Sequence, residues 1–135
     1  VDVLLRNGRA FPCACSRADV ARASAAPHPG EEGPRYPGTC RDQPTEAVVE
    51  RARAQGRAPT IRARGEALAE GFRDDVHGLV PPPLEGVDDF VIRRSDGTAA
   101  YQLAVVVDDA AMGITQVVRG DDLLASTHRQ LLLYR

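Results

Sequence analysis

Apolar and polar positions divide the chain into short periodic segments separated by glycine and proline. Val1, Val3, Leu4 and Leu5 read as the end of an amphipathic helix within residues 1–9, closed at Asn7-Gly8, where glycine accepts a left-handed helix terminus. Ser16-Arg17-Ala18-Asp19 has the spacing of a capping box and predicts a short helix over Ala18 to Ala25. Ala26 to Gly38 carries a proline or glycine at almost every second position and reads as a loop. Pro44 opens a helix whose stripe is Val48, Val49 and Ala52, ending near Gly56.

The second half alternates differently. Thr60 to Arg64 has the period of a strand with one buried face, and Phe72 to Val80 predicts another strand before Pro81-Pro82-Pro83 forces an extended connection. Phe90 to Arg94 followed by Ser95-Asp96-Gly97 is the clearest strand and turn. Tyr101 to Met112 fits either a buried strand or a buried helix, and Gly113 ends it in both cases. Ile114 to Arg119 is β-branched and predicts a strand, and Ser126-Thr127 predicts the cap of a last helix over His128 to Arg135. The apolar runs at Val1 and at Leu131-Leu132-Leu133 carry no start or stop signal, so the chain is expected to be a piece of a larger protein.

Composition adds limits. With 135 residues, 43% hydrophobic and 27% charged, the chain suits one ordinary globular domain rather than a disordered or fibrous one. No apolar run approaches the ~20 residues of a membrane span, and no signal peptide opens the chain, so a cytoplasmic protein without membrane contact is expected. All 17 basic residues are arginine, but the net charge of −2 is not that of a general nucleic-acid binder, so any RNA contact must be local.

The 3 cysteines cannot all pair, and Cys13 and Cys15 are too close in sequence for an easy mutual disulfide. Cys13-Ala14-Cys15 and Cys40 read as zinc ligands, with ordinary buried cysteines as the alternative. A closed site needs a fourth ligand. General chemistry favours His28, between the cysteines, over the less usual Tyr36. Arg51, Arg53, Arg57, Arg62 and Arg64 form the densest basic stretch, read as a solvated face among Glu46, Glu50, Glu66 and Glu70 rather than as phosphate contacts. Asp108-Asp109 is assigned no metal.

Three segments carry a resemblance: Asp89 to Gly97, Ala100 to Asp109, and Met112 to Gly120. With Cys13-Ala14-Cys15-Ser16-Arg17 and Tyr36-Pro37-Gly38-Thr39-Cys40-Arg41, they resemble the glutamyl class I aminoacyl-tRNA synthetases over nearly the whole chain. Val105, where charging members typically carry Asn, looks like the branch that glutamylates queuosine in tRNA(Asp).

That resemblance implies an α/β fold: part of a class I Rossmann-type catalytic domain with an inserted zinc-containing, acceptor-end-binding subdomain. Residues 1–9 would end the first Rossmann half, 10–90 form the insertion, and 91–135 supply part of the second half. It also implies that Tyr101 to about Ala111 is helical, that structural zinc is held by Cys13, Cys15, Tyr36 and Cys40 in place of the His28 set, and that Tyr101 and Arg119 line the glutamate pocket. A planar guanidinium fork suits carboxylate recognition, and Arg119 falls at the end of an expected strand, where open α/β sheets place ligands.

The implied partners are glutamate, ATP with magnesium, and tRNA(Asp), and a monomer is expected. The alternatives are charging of tRNA(Glu) and a non-catalytic zinc-stabilised RNA-binding module. The two ATP-binding signatures of class I synthetases, of His-Ile-Gly-His and Lys-Met-Ser-Lys-Ser type, have no match in this lysine-free chain. These 135 residues alone are therefore expected to be inactive.

Overall fold

In the computed structural model, residues 1–24 and 34–135 are described. Helix α1, Asp2–Arg6, is followed by Gly8 at φ +68°. The Gly8 amide donates to the Leu5 carbonyl and the Arg9 amide to Leu4, a Schellman closure that glycine makes possible. The chain then enters strand β1, Ala10–Cys13. Helix α2, Arg17–Ala23, starts on the expected capping box, with the Ser16 hydroxyl accepting from the Asp19 amide and the Asp19 carboxylate accepting from the Ser16 amide. It ends at Ala23 with Ser24 extended, and the expected end at Ala25 lies outside the described residues.

Helix α3, Thr45–Ala54, follows Pro44 and buries Val48 and Ala52. Strand β2, Thr60–Ala63, is the centre of a three-stranded sheet. It pairs antiparallel with β1 on one side, Phe11 opposite Arg62, and with β5, Phe90–Arg93, on the other. Side chains of successive strand residues point to opposite faces, and this splits the interior in two. Ala10, Ile61, Ala63, Phe90 and Ile92 join Leu68, Val87 and Leu132 in one core, against which Leu4, Leu5 and Leu103 pack. Phe11 and Cys13 join Ala14, Val20, Tyr36, Cys40, Val48 and Ala52 in the other.

The one-face expectation for residues 60–64 is thereby corrected. Arg62 is 9% exposed, with its guanidinium carbon 3.9 Å from the Tyr36 ring centroid and Nη1 donating to the Asp89 carbonyl at 3.2 Å. Both faces of β2 are covered, and an aromatic ring provides a surface on which the guanidinium can lie.

Phe72 to Val80 is a hairpin rather than one strand: β3, Phe72–Asp74, pairs with β4, Gly78–Val80. The Asp74 carboxylate accepts from the Val76 and His77 amides at 2.9 and 2.8 Å, and Gly78 has φ +76°, so local turn chemistry breaks the run.

Helix α4, Tyr101–Met112, resolves the strand-or-helix ambiguity, and Gly113 at φ +68° closes it. Ile114 to Arg119 is not a strand. Among the described residues no segment pairs with it, and Ile114, Val117 and Val118 are exposed; β-propensity alone does not make a strand without a neighbouring ladder. A 3₁₀ turn over Asp121–Leu123 leads into helix α5, Ser126–Tyr134. Ser126 does not cap this helix: it lies inside it, fully buried, and its hydroxyl accepts from Gln102.

Candidate zinc cluster and amino-acid pocket

Cys13 ends β1, Cys15 follows two residues later, and the turn after Gly38 brings Cys40 against them. The three Sγ atoms lie within 4.8 Å of one another, and none is in a disulfide. Cys15 Sγ is 3.6 Å from Cys40 Sγ. The Tyr36 hydroxyl is 3.4 Å from Cys13 Sγ and 3.9 Å from Cys15 Sγ, and it accepts the Cys40 amide at 2.7 Å.

These separations pass a simple test. Zinc bound tetrahedrally to sulfur at about 2.3 Å places two sulfurs roughly 3.8 Å apart, and a sulfur and an oxygen roughly 3.5 Å apart. The three cysteines could therefore hold a metal ion without large rearrangement. His28, the ligand favoured on general chemistry, lies outside the described residues.

Charge around the cluster agrees. Burial first, then the Cys13 charge and the Cys40 hydrogen bond, push the Cys15 thiol up to about 12. Burial also raises the Tyr36 phenol, reinforced by its hydrogen bond with Cys13. At Cys40 burial is outweighed by hydrogen bonds from Tyr36, the Ala14 backbone and the other two cysteines, which bring the thiol down to about 7. Without a cation most of these groups stay protonated, and a dication reverses that preference.

Arginines supply an outer layer. Arg51 Nη2 donates to Cys40 Sγ at 3.0 Å, Arg57 donates to the Ala14 carbonyl, and Arg62 covers the Tyr36 ring. Arg64 bonds Asp42 and the Arg41 carbonyl. The solvated-face reading of this stretch is corrected for Arg62, which is buried; Arg51, Arg57 and Arg64 are partly exposed but donate to groups of the molecule itself, and Arg53 is exposed. The spacing of the arginines carried no sign of this, because the aromatic and carbonyl partners come from the residue after β1, the loop of Tyr36 to Arg41 and the residue before β5.

A buried carboxylate ties the cysteine loop to the sheet. Asp89 accepts from Arg41 and, at 2.7 Å, from the Gly65 amide, while Arg41 Nη2 donates to the Gly65 carbonyl at 3.0 Å. Burial raises the Asp89 carboxyl, against the lowering effects of Gly65 and Arg41.

Tyr101, the first residue of α4, is 45% exposed and lines a cavity of about 790 Å³ between the cysteine subsite and α4. Its walls include Cys15, Arg17, Arg57, Arg94 and Gln102; Arg119 is not among them. Arg119 instead donates to Gln130 Oε1 at 2.8 Å and to the Thr127 hydroxyl, both on α5. It lies in an irregular segment rather than at a strand end, so the strand-end argument for its placement fails. The alternative of a surface ion pair with Asp121 or Asp122 is also absent among the described contacts.

Gln130 Nε2 donates to Gln102 Oε1 at 3.0 Å, and Gln102 Nε2 to Ser126 Oγ at 2.7 Å. One chain of hydrogen bonds thus runs from Arg119 to the neighbour of Tyr101. Gln102 and Gln130 were not singled out from sequence; the available signal is that Gln102 shares the buried face of α4 with Val106.

No helix among the described residues is long and apolar enough to cross a membrane. The chain is 49% identical over 138 residues to a glutamyl-Q tRNA(Asp) synthetase of Nitratidesulfovibrio vulgaris, covering 99% of this chain and 41% of that protein. It is 51% identical over 130 residues to one from Nocardia farcinica, covering 96% and 40%, and 46% identical over 128 residues to glutamate–tRNA ligase 1 of Halorhodospira halophila, covering 94% and 27%. The chain thus spans about two-fifths of the glutamyl-Q relatives. The fold matches a crystal structure of a glutamate tRNA ligase from Elizabethkingia meningosepticum in complex with its amino acid, with a TM-score of 0.71 at 22% identity over 98% of this chain and 28% of that one. A family model described as tRNA synthetases class I (E and Q), catalytic domain, matches residues 1–135, and the chain belongs to that family of α/β class I synthetases.

Proposed function

We propose that this chain is part of a ligase that activates glutamate with ATP and transfers it to queuosine in the anticodon of tRNA(Asp). The observation that carries this reading is the 49–51% identity to glutamyl-Q synthetases across nearly the whole chain; Val105, four residues after Tyr101, supports it. Residues 1–9 end the first Rossmann half, 10–90 form the inserted acceptor-end-binding subdomain, and 91–135 supply part of the second half. Zinc is structural, held by Cys13, Cys15, Tyr36 and Cys40, and its role is to order the loop that carries Tyr36 and Cys40. Tyr36 as fourth ligand is supported by its distances to the sulfurs and by the Cys40 amide donated to its oxygen.

In activation, a glutamate carboxylate oxygen attacks the α-phosphorus of ATP and pyrophosphate leaves. ATP and magnesium are held by parts of the enzyme outside these residues. What this chain supplies is substrate position. Arg119 presents charge-assisted donors to a carboxylate and Tyr101 a polar edge to the amino acid, so their contribution is orientation and electrostatic complementarity.

The test uses the full gene product with glutamate, ATP and tRNA. Glutamylation of queuosine-bearing tRNA(Asp), absent with queuosine-free tRNA(Asp), is expected. Transfer to tRNA(Glu) favours the charging reading, supported by the 46% identity to a glutamate–tRNA ligase; loss of all glutamate-dependent activity favours a non-catalytic RNA-binding module. Arg119→Ala should abolish most glutamate-dependent pyrophosphate exchange with an unchanged circular dichroism spectrum. Exchange near the wild-type rate overturns its role.

A further inference from the structure

We propose that Gln130, backed by Gln102, is a positioning residue that sets the orientation of the Arg119 guanidinium for amino-acid binding; this rests on the reading of Arg119 as a glutamate-binding residue. Arginine carries donors only, so Gln130 must turn its amide oxygen toward Arg119. Its amide nitrogen then has to face Gln102, which presents oxygen in turn and directs its own nitrogen to Ser126. The observed order is this one: Arg119 Nη1 to Gln130 Oε1, Gln130 Nε2 to Gln102 Oε1, Gln102 Nε2 to Ser126 Oγ. A single obligate donor polarises the whole relay.

Burial makes the relay rigid. Gln102 and Gln130 are each 8% exposed and Ser126 is fully buried, so none of these groups has water as an easy alternative partner. Thr127 engages Nη2 of the same guanidinium, so α5 grips both Nη atoms, while the other three N–H donors of the fork make no hydrogen bond among the described residues. The other end of the relay sits beside Tyr101 at the start of α4. Tyr101 and Arg119 share no wall of the described cavity, yet α4 and α5 hold both through this one network. A fork held in this way enters binding with its orientation already set, which reduces the ordering cost of gripping a carboxylate.

The experiment measures pyrophosphate-exchange kinetics of the full gene product bearing Gln130→Met, Gln102→Met or both, together with thermal unfolding. Gln130→Met should raise the glutamate KM about tenfold to a hundredfold, the usual consequence of losing a hydrogen bond to a charged group, while the ATP KM stays within about twofold. The double variant should cost little more than Gln130→Met alone, because the two residues act as one unit. An unchanged glutamate KM in folded Gln130→Met, or a uniform fall in kcat with both KM values intact, overturns the positioning role. Should the single variants lower thermal stability, the split between the two KM values still decides. Wild-type protein without glutamate-dependent exchange overturns the functional reading itself, a result distinct from an active wild type beside an unaffected Gln130→Met.

Discussion

Replacing Tyr36 by Phe removes a single oxygen from the centre of the second core. The ring itself keeps its surroundings, packed 6.3 Å from Phe11 and under the Arg62 guanidinium, so the loss is confined to what the hydroxyl does. Without metal that loss is the acceptor for the buried Cys40 amide at 2.7 Å, worth about 1–3 kcal/mol once the donor is left without a partner. With zinc bound, the variant also loses a ligand from the coordination shell. Losing an outer-shell partner of a metal ligand lowers affinity ~10–100-fold, and losing a ligand should exceed that, adding at least about 1.4–2.8 kcal/mol.

Three of the eight residues of this core, Cys13, Tyr36 and Cys40, belong to the proposed ligand set, so α2 and α3 should loosen while the sheet's other core stays ordered. The assay is zinc content per chain, competition against a chromogenic chelator, and thermal unfolding with and without chelator. At roughly 4 °C per kcal/mol for a domain of this size, the variant should melt about 4–12 °C lower without metal and fall further behind with it. Equal deficits in both conditions, with unchanged zinc competition, refute Tyr36 as a ligand. If His28→Ala then removes the zinc, the alternative set is the correct one.

Two further outcomes test the frame around the site. Gly65→Ala should destabilise by about 3 kcal/mol or more, because a Cβ there would meet the Val87 carbonyl oxygen and the Asp88 backbone, pushing apart the Arg41–Asp89 anchor; chemical denaturation measures it, and a shift under about 1 kcal/mol refutes the tight approach. His128 is buried against Phe72, ring centroids 5.0 Å apart, and burial lowers its pKa below the ordinary 6.5 despite the opposing effect of the Pro81 and Ala125 backbone. The unfolded chain therefore binds more protons below that value. Stability should be full above about pH 6.5 and fall as pH drops through it, until the folded-state value is passed. The melting temperature should decline from pH 7.5 toward 5.5 in the wild type and lose that component in His128→Phe; an identical slope in both refutes it.

Local chemistry made much of the chain readable in advance. The Ser16–Asp19 capping box, the glycine stops at Gly8 and Gly113, the start of α3 after Pro44 and the strand Phe90–Arg93 depend on residues close in sequence, whose side chains meet their own backbone. The cysteine cluster was visible for a related reason. Cys13 and Cys15 are nearly adjacent, and only Cys40 had to be brought in by a turn.

Most of what failed depended on partners far along the chain. Ile114 to Arg119 has the composition of a strand but no neighbour to pair with among the described residues, and a strand exists only through its ladder. Arg51, Arg57 and Arg62 looked like charges in water until the Tyr36 ring, the Cys40 sulfur and the Ala14 carbonyl came within reach. Gln102 and Gln130 lie 28 residues apart and gain meaning only when α4 packs on α5. The sequence by itself determined several of the element starts and stops, and which side chains could ligate a metal. The tertiary structure decided which charges are buried, which polar groups complete one another and how Arg119 is held, because burial and hydrogen-bond partnership are properties of packing rather than of order along the chain.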